Sequence, residues 1–298
     1  MNSSVLGYCP ICGYKTFCSI LVRESKLDTA ITHGVFSARR LPDRVTSEWI
    51  ECNNCGLAIA NPTITFDIDS LYKLSKFSYI YLTKNLRKSY VKIMKKSLPL
   101  QNLKSVLEIG GGNGFMLEAA LKLGFNLVHE VEPSLDAFNS ASDVIRSNFS
   151  QNMFDDSFDL AMTFDLVMNF HVLDHVRDPV KFLSKCSKLL NFNGYILIAV
   201  HNHKSFSAKI MKDKSPIYDI EHTFLYSKKT LSLILKKSGF RNVEVKTYWN
   251  WVTLSYLIHL LPIPHFLKEI FISSKFKLIF DRISLYLPLG NFYAVAQI

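Results

Sequence analysis

The chain has 298 residues, 48% of them hydrophobic and 20% charged, which gives enough apolar material for a large core and excludes a globally disordered chain. Lys and Arg outnumber Asp and Glu by 35 to 25. The basic residues are scattered rather than tracked along one element, so the charge does not by itself demand a nucleic acid.

The opening residues, MNSSVLGYCP, lack the basic stretch and apolar run of a secretory signal. That points to a reducing cytoplasm, where paired cysteines serve as metal ligands more often than as disulfides. Residues 1–62 read as a small module, with short β-like pieces at 17–22 and 49–51 between two cysteine pairs. Residues 63–100 are rich in Tyr and Lys at helical spacing, a connector or cap that ends near Pro99. Strand and helix then alternate from 101 to 298. Strands are expected at 105–109, 126–131, 144–149 (weakly), 165–169 and 195–200, with helices at 115–123, 133–141 and 179–190 between them. This alternation implies parallel βαβ units. A helix at 228–237 closed by Gly239, a strand at 243–248 and a last strand at 292–297 follow. The apolar stretch 249–289 reads as a helical insertion. Its richest run, 251–261, is stopped by Pro262 and Pro264 and falls short of the roughly 18 apolar residues that span a bilayer.

Cys9-Pro-Ile-Cys12-Gly13 and Cys52-Asn-Asn-Cys55-Gly56 are two knuckles of one form. Two residues between cysteines let both thiolates reach one tetrahedral ion, and the following glycine allows the left-handed turn that aims backbone N–H groups at sulfur. Cys9, Cys12, Cys52 and Cys55 are therefore expected to hold a structural Zn2+, since four thiolates leave no open position. Disulfides and an iron–sulfur centre are the alternatives. Cys18 is a weak fifth candidate, and Cys186 is expected to pack within its helix.

The sharpest motif is Val106-Leu-Glu108-Ile-Gly110-Gly-Gly112-Asn-Gly114-Phe115, a strand running into a glycine turn and then a helix. Glycines let the backbone approach a ligand that a Cβ would block. The dinucleotide pattern needs a glycine where Phe115 stands. About 20 residues on, Glu132 ends the second strand, where an acid suits a pair of ribose hydroxyls. Glu108, Gly110, Gly112, Gly114 and Glu132, with Asn169 in the run Phe164 to Pro179, resemble the cofactor site of class I S-adenosylmethionine methyltransferases. The run His171-Val-Leu-Asp174-His175 before Asp178-Pro179 is similar to that family's fourth strand and loop, and the resemblance covers nearly all of residues 103–248. With the cysteine knuckles, Asn61-Pro62 and tyrosines 72, 79 and 81, the chain resembles zinc-ribbon methyltransferases of glycan and natural-product pathways. The resemblance implies an α/β, Rossmann-like sheet of seven strands, the last antiparallel, behind a small N-terminal zinc-ribbon, with S-adenosylmethionine as cofactor. Departures are Asp174 in place of a commoner Glu and Ile220 in place of a second His, together with the lack of a large C-terminal domain. The last two of these departures weigh against C-methylation of a nucleotide sugar.

A methyl on sulfonium is already activated, so the protein's tasks are in-line positioning and, for a hydroxyl or carbon acceptor, proton removal. His222, oriented by Glu221, is the first candidate base, with His171 and His201 as further catalytic candidates near the strands' C-terminal ends. His203 is a candidate acceptor contact, His175 is expected to cap the loop, and Asp155 and Asp156 lie where adenine contacts are expected. The expected acceptor is a small molecule, a sugar, glycan or lipid-linked glycolipid intermediate, methylated at O or C. RNA methylation is the alternative, although nucleic acid is disfavoured by the dispersed charge. A zinc-ribbon interaction protein on a degenerate Rossmann domain is the non-enzyme alternative. Residues 249–289, with Lys268, Lys275, Lys277 and Arg282 among large apolar side chains, suit a lid, a dimer surface or peripheral contact with the inner face of a membrane.

Overall fold

The computed structural model describes residues 8–15, 17–24, 46–61, 72–73, 80–260 and 275–298. Tyr79, Pro62, Pro264 and Lys268 lie outside them, and so does the centre of the apolar stretch.

The N-terminal module is three antiparallel strands, β1 (Phe17–Val22), β2 (Glu48–Cys52) and β3 (Ala58–Asn61). The connector provides a long helix, α1 (Ile80–Ser97). Next come β4 (Ser105–Ile109), α2 (Phe115–Lys122), β5 (Leu127–Val131), α3 (Leu135–Ser140), α4 (Asp143–Arg146) and β6 (Phe149–Ser150). They lead into β7 (Phe164–Phe170), α5 (Pro179–Lys188), β8 (Leu190–Val200) and α6 (Phe206–Met211). The chain continues through β9 (Phe224–Leu225), α7 (Lys228–Lys237), β10 (Arg241–Thr247), β11 (Asn250–Thr253), α8 (Leu254–Leu260), α9 (Lys275–Arg282), β12 (Ser284–Leu287) and β13 (Phe292–Gln297).

Several helices start where a side chain accepts from their free N–H groups. Asp178 Oδ1 accepts from Lys181 N ahead of Pro179 in the first turn of α5. Ser227 and Thr230 cap α7 reciprocally. The central strands β4 and β7 and the second half of β8 are almost wholly buried, as parallel strands covered on both faces must be.

The main sheet has seven strands in the order β10-β13-β8-β7-β4-β5-β6. All pair in parallel except β13, which inserts antiparallel between β8 and β10. The expected seven-stranded Rossmann-like sheet with an antiparallel last strand is therefore present. The glycine turn and the loops after β7 and β8 all leave its C-terminal edge.

Two segments differ from expectation. Residues 144–149 form little strand, because Ser142 and Asp143 open a helical turn whose Arg146 guanidinium donates to the Ala141 carbonyl. Only Phe149 and Ser150 pair with β5. The described part of 249–289 is framed by a two-stranded ribbon, β11 with β12, rather than being helical throughout. Trp251 and Tyr286 stack across that ribbon, and Lys88 and Lys92 of α1 lie over their rings. Trp251 N also donates to Ser89 Oγ. Connector and insertion thus form a single cap.

The cysteine module is joined to the main domain through main-chain bonds. β9 pairs with β3 and completes a four-stranded sheet, β1-β2-β3-β9. Phe224 in β9 is fully buried between the module and the large core. Phe224→Ala is expected to lower the unfolding free energy by about 3–5 kcal/mol, measured by urea titration. A loss below about 1 kcal/mol would show that this seam contributes little.

Candidate functional site

The two cysteine knuckles fold alike. Gly13 N donates to the Cys9 carbonyl and Gly56 N to that of Cys52, each at 2.8 Å, and both glycines have positive φ, 71° and 80°. The fold brings Cys9 Sγ to 3.6 Å from Cys55 Sγ and Cys12 Sγ to 3.5 Å from Cys52 Sγ. All four sulfurs lie within 4.8 Å of one another. A tetrahedron with metal–sulfur bonds of about 2.3 Å has edges of about 3.8 Å, so these sulfurs fit one such ion. None of the described cysteines is in a disulfide. Cys186 is buried in α5, and burial pushes its thiol up. The Cys18 side chain is not described.

At the edge of the main sheet lies a cavity of about 680 Å³. One end is the glycine turn. Gly110 has φ 72°, and a Cβ there would sit 2.6 Å from Val172 Cγ2. Glu132 Oε2 accepts from Gly112 N at 3.2 Å and its Oε1 from Ser134 N at 3.0 Å. Burial raises the Glu132 carboxyl against these two donors, which favour its charged form. Below the turn are two fully buried acids. Glu130 Oε1 accepts from Gly111 N at 2.8 Å, and Glu130 also shares a hydrogen bond with Glu108. Burial, and then the neighbouring Glu108, push the Glu130 carboxyl well above its usual range. Both effects favour its protonated form.

The other end is a histidine cluster around Asp174. His171 Nδ1, His201 Nε2 and His222 Nε2 lie 4.0, 4.0 and 3.7 Å from Asp174 Oδ2, and His175 Nε2 lies 4.0 Å from Oδ1. Burial would raise the Asp174 carboxyl, but the surrounding imidazoles hold it below its usual value. His171 sits at φ 58°, a left-handed backbone that a non-glycine residue adopts at a cost and that is common at functional sites. Burial would lower His222, yet Asp219 beside it, then Asp174, hold it up at about 9. The acid that orients His222 is Asp219. Its Oδ1 accepts from His222 Nδ1 at 2.9 Å and from the backbone N of Glu221 and His222. Glu221 contributes its carbonyl, 3.1 Å from His175 Nδ1.

Glu108, Gly110, Gly112, Glu132, His171, His201, Glu221 and His222 all line the cavity, as do Asp155 and Asp156. Gly114 and Asn169 do not line it. Gly114 starts α2 against Ile145, where a Cβ would meet Ile145 Cγ2 at 2.4 Å. Asn169 is fully buried, and its amide has no hydrogen-bond partner among the described residues. His203 lies beside the cysteine module, near Glu51 and Gly56, rather than at the cavity. Residues that the sequence reading missed are Glu130, Asp219, Asn291 and Tyr248. Glu130 alone carried a signal, an acid inside a strand of otherwise apolar inward positions.

Residues 82–245, more than half of the chain, match the family described as "Methyltransferase domain". The chain is also similar to ubiquinone biosynthesis O-methyltransferases. It is 29% identical to that of Pelagibacter ubique over 140 residues, 44% of this chain and 55% of the relative. It is 28% identical to that of Cereibacter sphaeroides over 152 residues, 47% of this chain and 59% of the relative. The match thus spans little more than half the length of these curated relatives. Among solved structures, a SAM-dependent methyltransferase from Archaeoglobus fulgidus is similar at 20% identity and TM-score 0.46, covering 71% of this chain and 94% of that one. The chain belongs to the methyltransferase-domain family.

Glu130→Gln tests the acid pair, since the amide keeps an acceptor for Gly111 N and a donor for Glu108. A carboxyl whose folded pKa is raised loses stability as pH rises above the unfolded value, toward the folded one. The variant is therefore expected to match the wild type near pH 4 and to exceed its Tm increasingly from about pH 5 upward. A Tm difference independent of pH would contradict the protonated pair.

Proposed function

We propose that this member of the methyltransferase-domain family transfers a methyl group from S-adenosylmethionine to a hydroxyl of a small acceptor. The observation that carries the reading is that the glycine turn with Glu132 and the Asp174 histidine cluster face each other across one cavity. The turn gives a ligand close access to backbone at Gly110 and Gly112, and Glu132 supplies carboxylate oxygens for ribose hydroxyls. Met153 and Phe154 line the same wall and supply an apolar surface for the adenine.

The cofactor supplies an activated methyl on a sulfonium. The protein's own residues orient the acceptor and accommodate its proton. With the cofactor bound, these residues would hold the acceptor oxygen in line with that methyl, whose sulfur would keep the electron pair of the bond it loses. The hydroxyl proton leaves through the histidine cluster. His171, His201 and His222, with Asp174 beneath them, are the groups placed for that end of the reaction. Enclosure by Tyr90 and Phe170, which stack at 4.0 Å, keeps water from competing.

The relatives' names support oxygen as the acceptor atom, and the sequence resemblance supports a sugar or lipid-linked glycan as its carrier. Leu278, Ile279 and Ile283 are exposed on and after α9, beside Lys277 and Arg282, which supports presentation of the acceptor from a membrane surface. Among the described residues no helix is long and apolar enough to cross a membrane. Cys9, Cys12, Cys52 and Cys55 are read as one structural Zn2+ site that locks the module on which β9 is built.

Calorimetric titration with S-adenosylmethionine tests the reading. The wild-type chain is expected to bind it, and Gly112→Val, at φ 65°, to weaken that binding at least about tenfold while the fold is kept by circular dichroism. Undiminished binding in the variant, or a preference for NAD, would overturn the assignment.

A further inference from the structure

Asp174 is fully buried, and neither carboxylate oxygen has a hydrogen-bond partner among the described residues. An ionised carboxylate left that way is costly, and proteins keep one in such a place when a cation completes it. Four imidazoles surround it, yet none comes within hydrogen-bonding distance; the gaps are 3.7 to 4.0 Å.

The orientation of the rings explains those gaps. His201 Nδ1 lies 3.0 Å from Asn291 Oδ1, an atom that can only accept, so the ring's proton is on Nδ1. His222 Nδ1 lies 2.9 Å from both the Ile217 carbonyl and Asp219 Oδ1, which likewise only accept. Nδ1 is thus the outward donor in both rings, which leaves Nε2 of each turned toward Asp174 Oδ2. His171 Nδ1, buried and without a partner among the described residues, faces the same oxygen. A metal ion set between these nitrogens and Oδ2 would satisfy all of them at once, taking the place of any proton on Nε2. An outer acceptor that fixes the tautomer and aims the inner nitrogen is the arrangement found behind metal-bound histidines. Donors about 2.0–2.2 Å from an ion stand about 3.4 Å apart in a tetrahedron and just over 4 Å apart when opposite. The observed separations fall between these values.

We propose that Asp174, with His171, His201 and His222 around its Oδ2 and His175 at its Oδ1, binds a divalent transition-metal ion. Two sets of two histidines and one carboxylate share Asp174, His171 with His201 and His175 with His222, and each set holds its donor atoms within 4.8 Å of one another. Imidazole-rich sets of this kind suit zinc, iron, cobalt or nickel rather than magnesium or calcium. The cluster lines the cavity, so the ion keeps an open side. In the methyl transfer proposed above, on which this role rests, that side takes the acceptor oxygen and eases loss of its proton. The ion site itself does not depend on that reading.

The test is titration of the tag-free chain, its four cysteines already loaded with zinc, with Co2+. Binding is followed by calorimetry and visible absorption. The wild type is expected to take up one Co2+ per chain, with the spectrum of a nitrogen and oxygen site and no thiolate-to-cobalt charge-transfer band. Asp174→Asn and His201→Ala are expected to abolish uptake. Asn291→Ala, which removes only the group that orients His201, is expected to weaken it by about 10–100-fold. If Asp174→Asn does not fold by circular dichroism, the other two variants decide. No uptake by the zinc-loaded wild type, or uptake unchanged in His201→Ala and Asn291→Ala, overturns the site. S-adenosylmethionine affinity measured on the same samples separates the two readings. Cofactor binding without cobalt removes the ion site and leaves methyl transfer standing. Cobalt binding without cofactor binding supports the ion site and removes methyl transfer.

Discussion

The backbone carbonyl of Asp174 accepts two hydrogen bonds, from Thr223 N at 2.7 Å and from Phe224 N at 3.1 Å. Thr223 in turn offers its carbonyl to Ala60 N in β3, at 3.0 Å. Three elements distant in sequence meet there: the loop after β7, the turn carrying His222, and the sheet of the cysteine module. Neither face of the cavity's acceptor end can move without breaking one of these bonds, and each is buried, where an unmade bond costs about 1–3 kcal/mol. The cysteine cluster packs into the same core as Phe224, beside that small sheet. Its bearing on the cavity is thus mechanical. It fixes β2 and β3, which fix β9, which holds Asp219 to His222 against Asp174.

Charge is distributed in a matching way. The glycine-turn end holds Glu108, Glu130 and Glu132, and burial with the neighbouring acids pushes the Glu130 carboxyl well above its usual range. The opposite end holds Asp174 among four imidazoles, with Asp219 on the outer nitrogen of His222. A sulfonium ligand, carrying positive charge, finds its complement beside the acids. An acceptor that must lose a proton meets basic nitrogens. The cap made by α1 and the β11–β12 ribbon closes over both, with Tyr90 stacked on Phe170 and Tyr248 reaching His171 Nε2 at 3.3 Å.

Sequence showed what is local. The glycine turn, the strand-end acid Glu132 and the two cysteine knuckles are each encoded within about ten residues, where backbone geometry dictates residue type, and the structure assembles them. The parallel units followed from the alternation of elements, and the seven strands with the last antiparallel from the family resemblance. What could not be read arises from topology. Asn291 reaches His201 because β13 runs antiparallel beside β8, so the residue before β13 lands at the end of β8. Tyr72 reaches His175 from the connector, at 2.8 Å. Adjacency suggested Glu221 as the partner of His222, but a side-chain turn at Asp219 bends the chain and puts its carboxylate there instead. The third strand failed as a reading because Asp143–Arg146 turn helical, with the Arg146 guanidinium on the Ala141 carbonyl, despite the β-branched Val144 and Ile145.

The account stands on the mechanical link from the cysteine cluster through β9 to Asp174. Amide hydrogen exchange at Thr223 and Phe224 measures it directly, before and after Cys52→Ser or zinc chelation opens the cluster. In the intact chain both amides are expected to exchange slowly, together with Ala60, and opening the cluster should speed all three while the central strands β4 and β7 keep their protection. Unchanged protection at Thr223 and Phe224 once the cluster is open would show that the acceptor side of the cavity is held without the module, and would contradict the link.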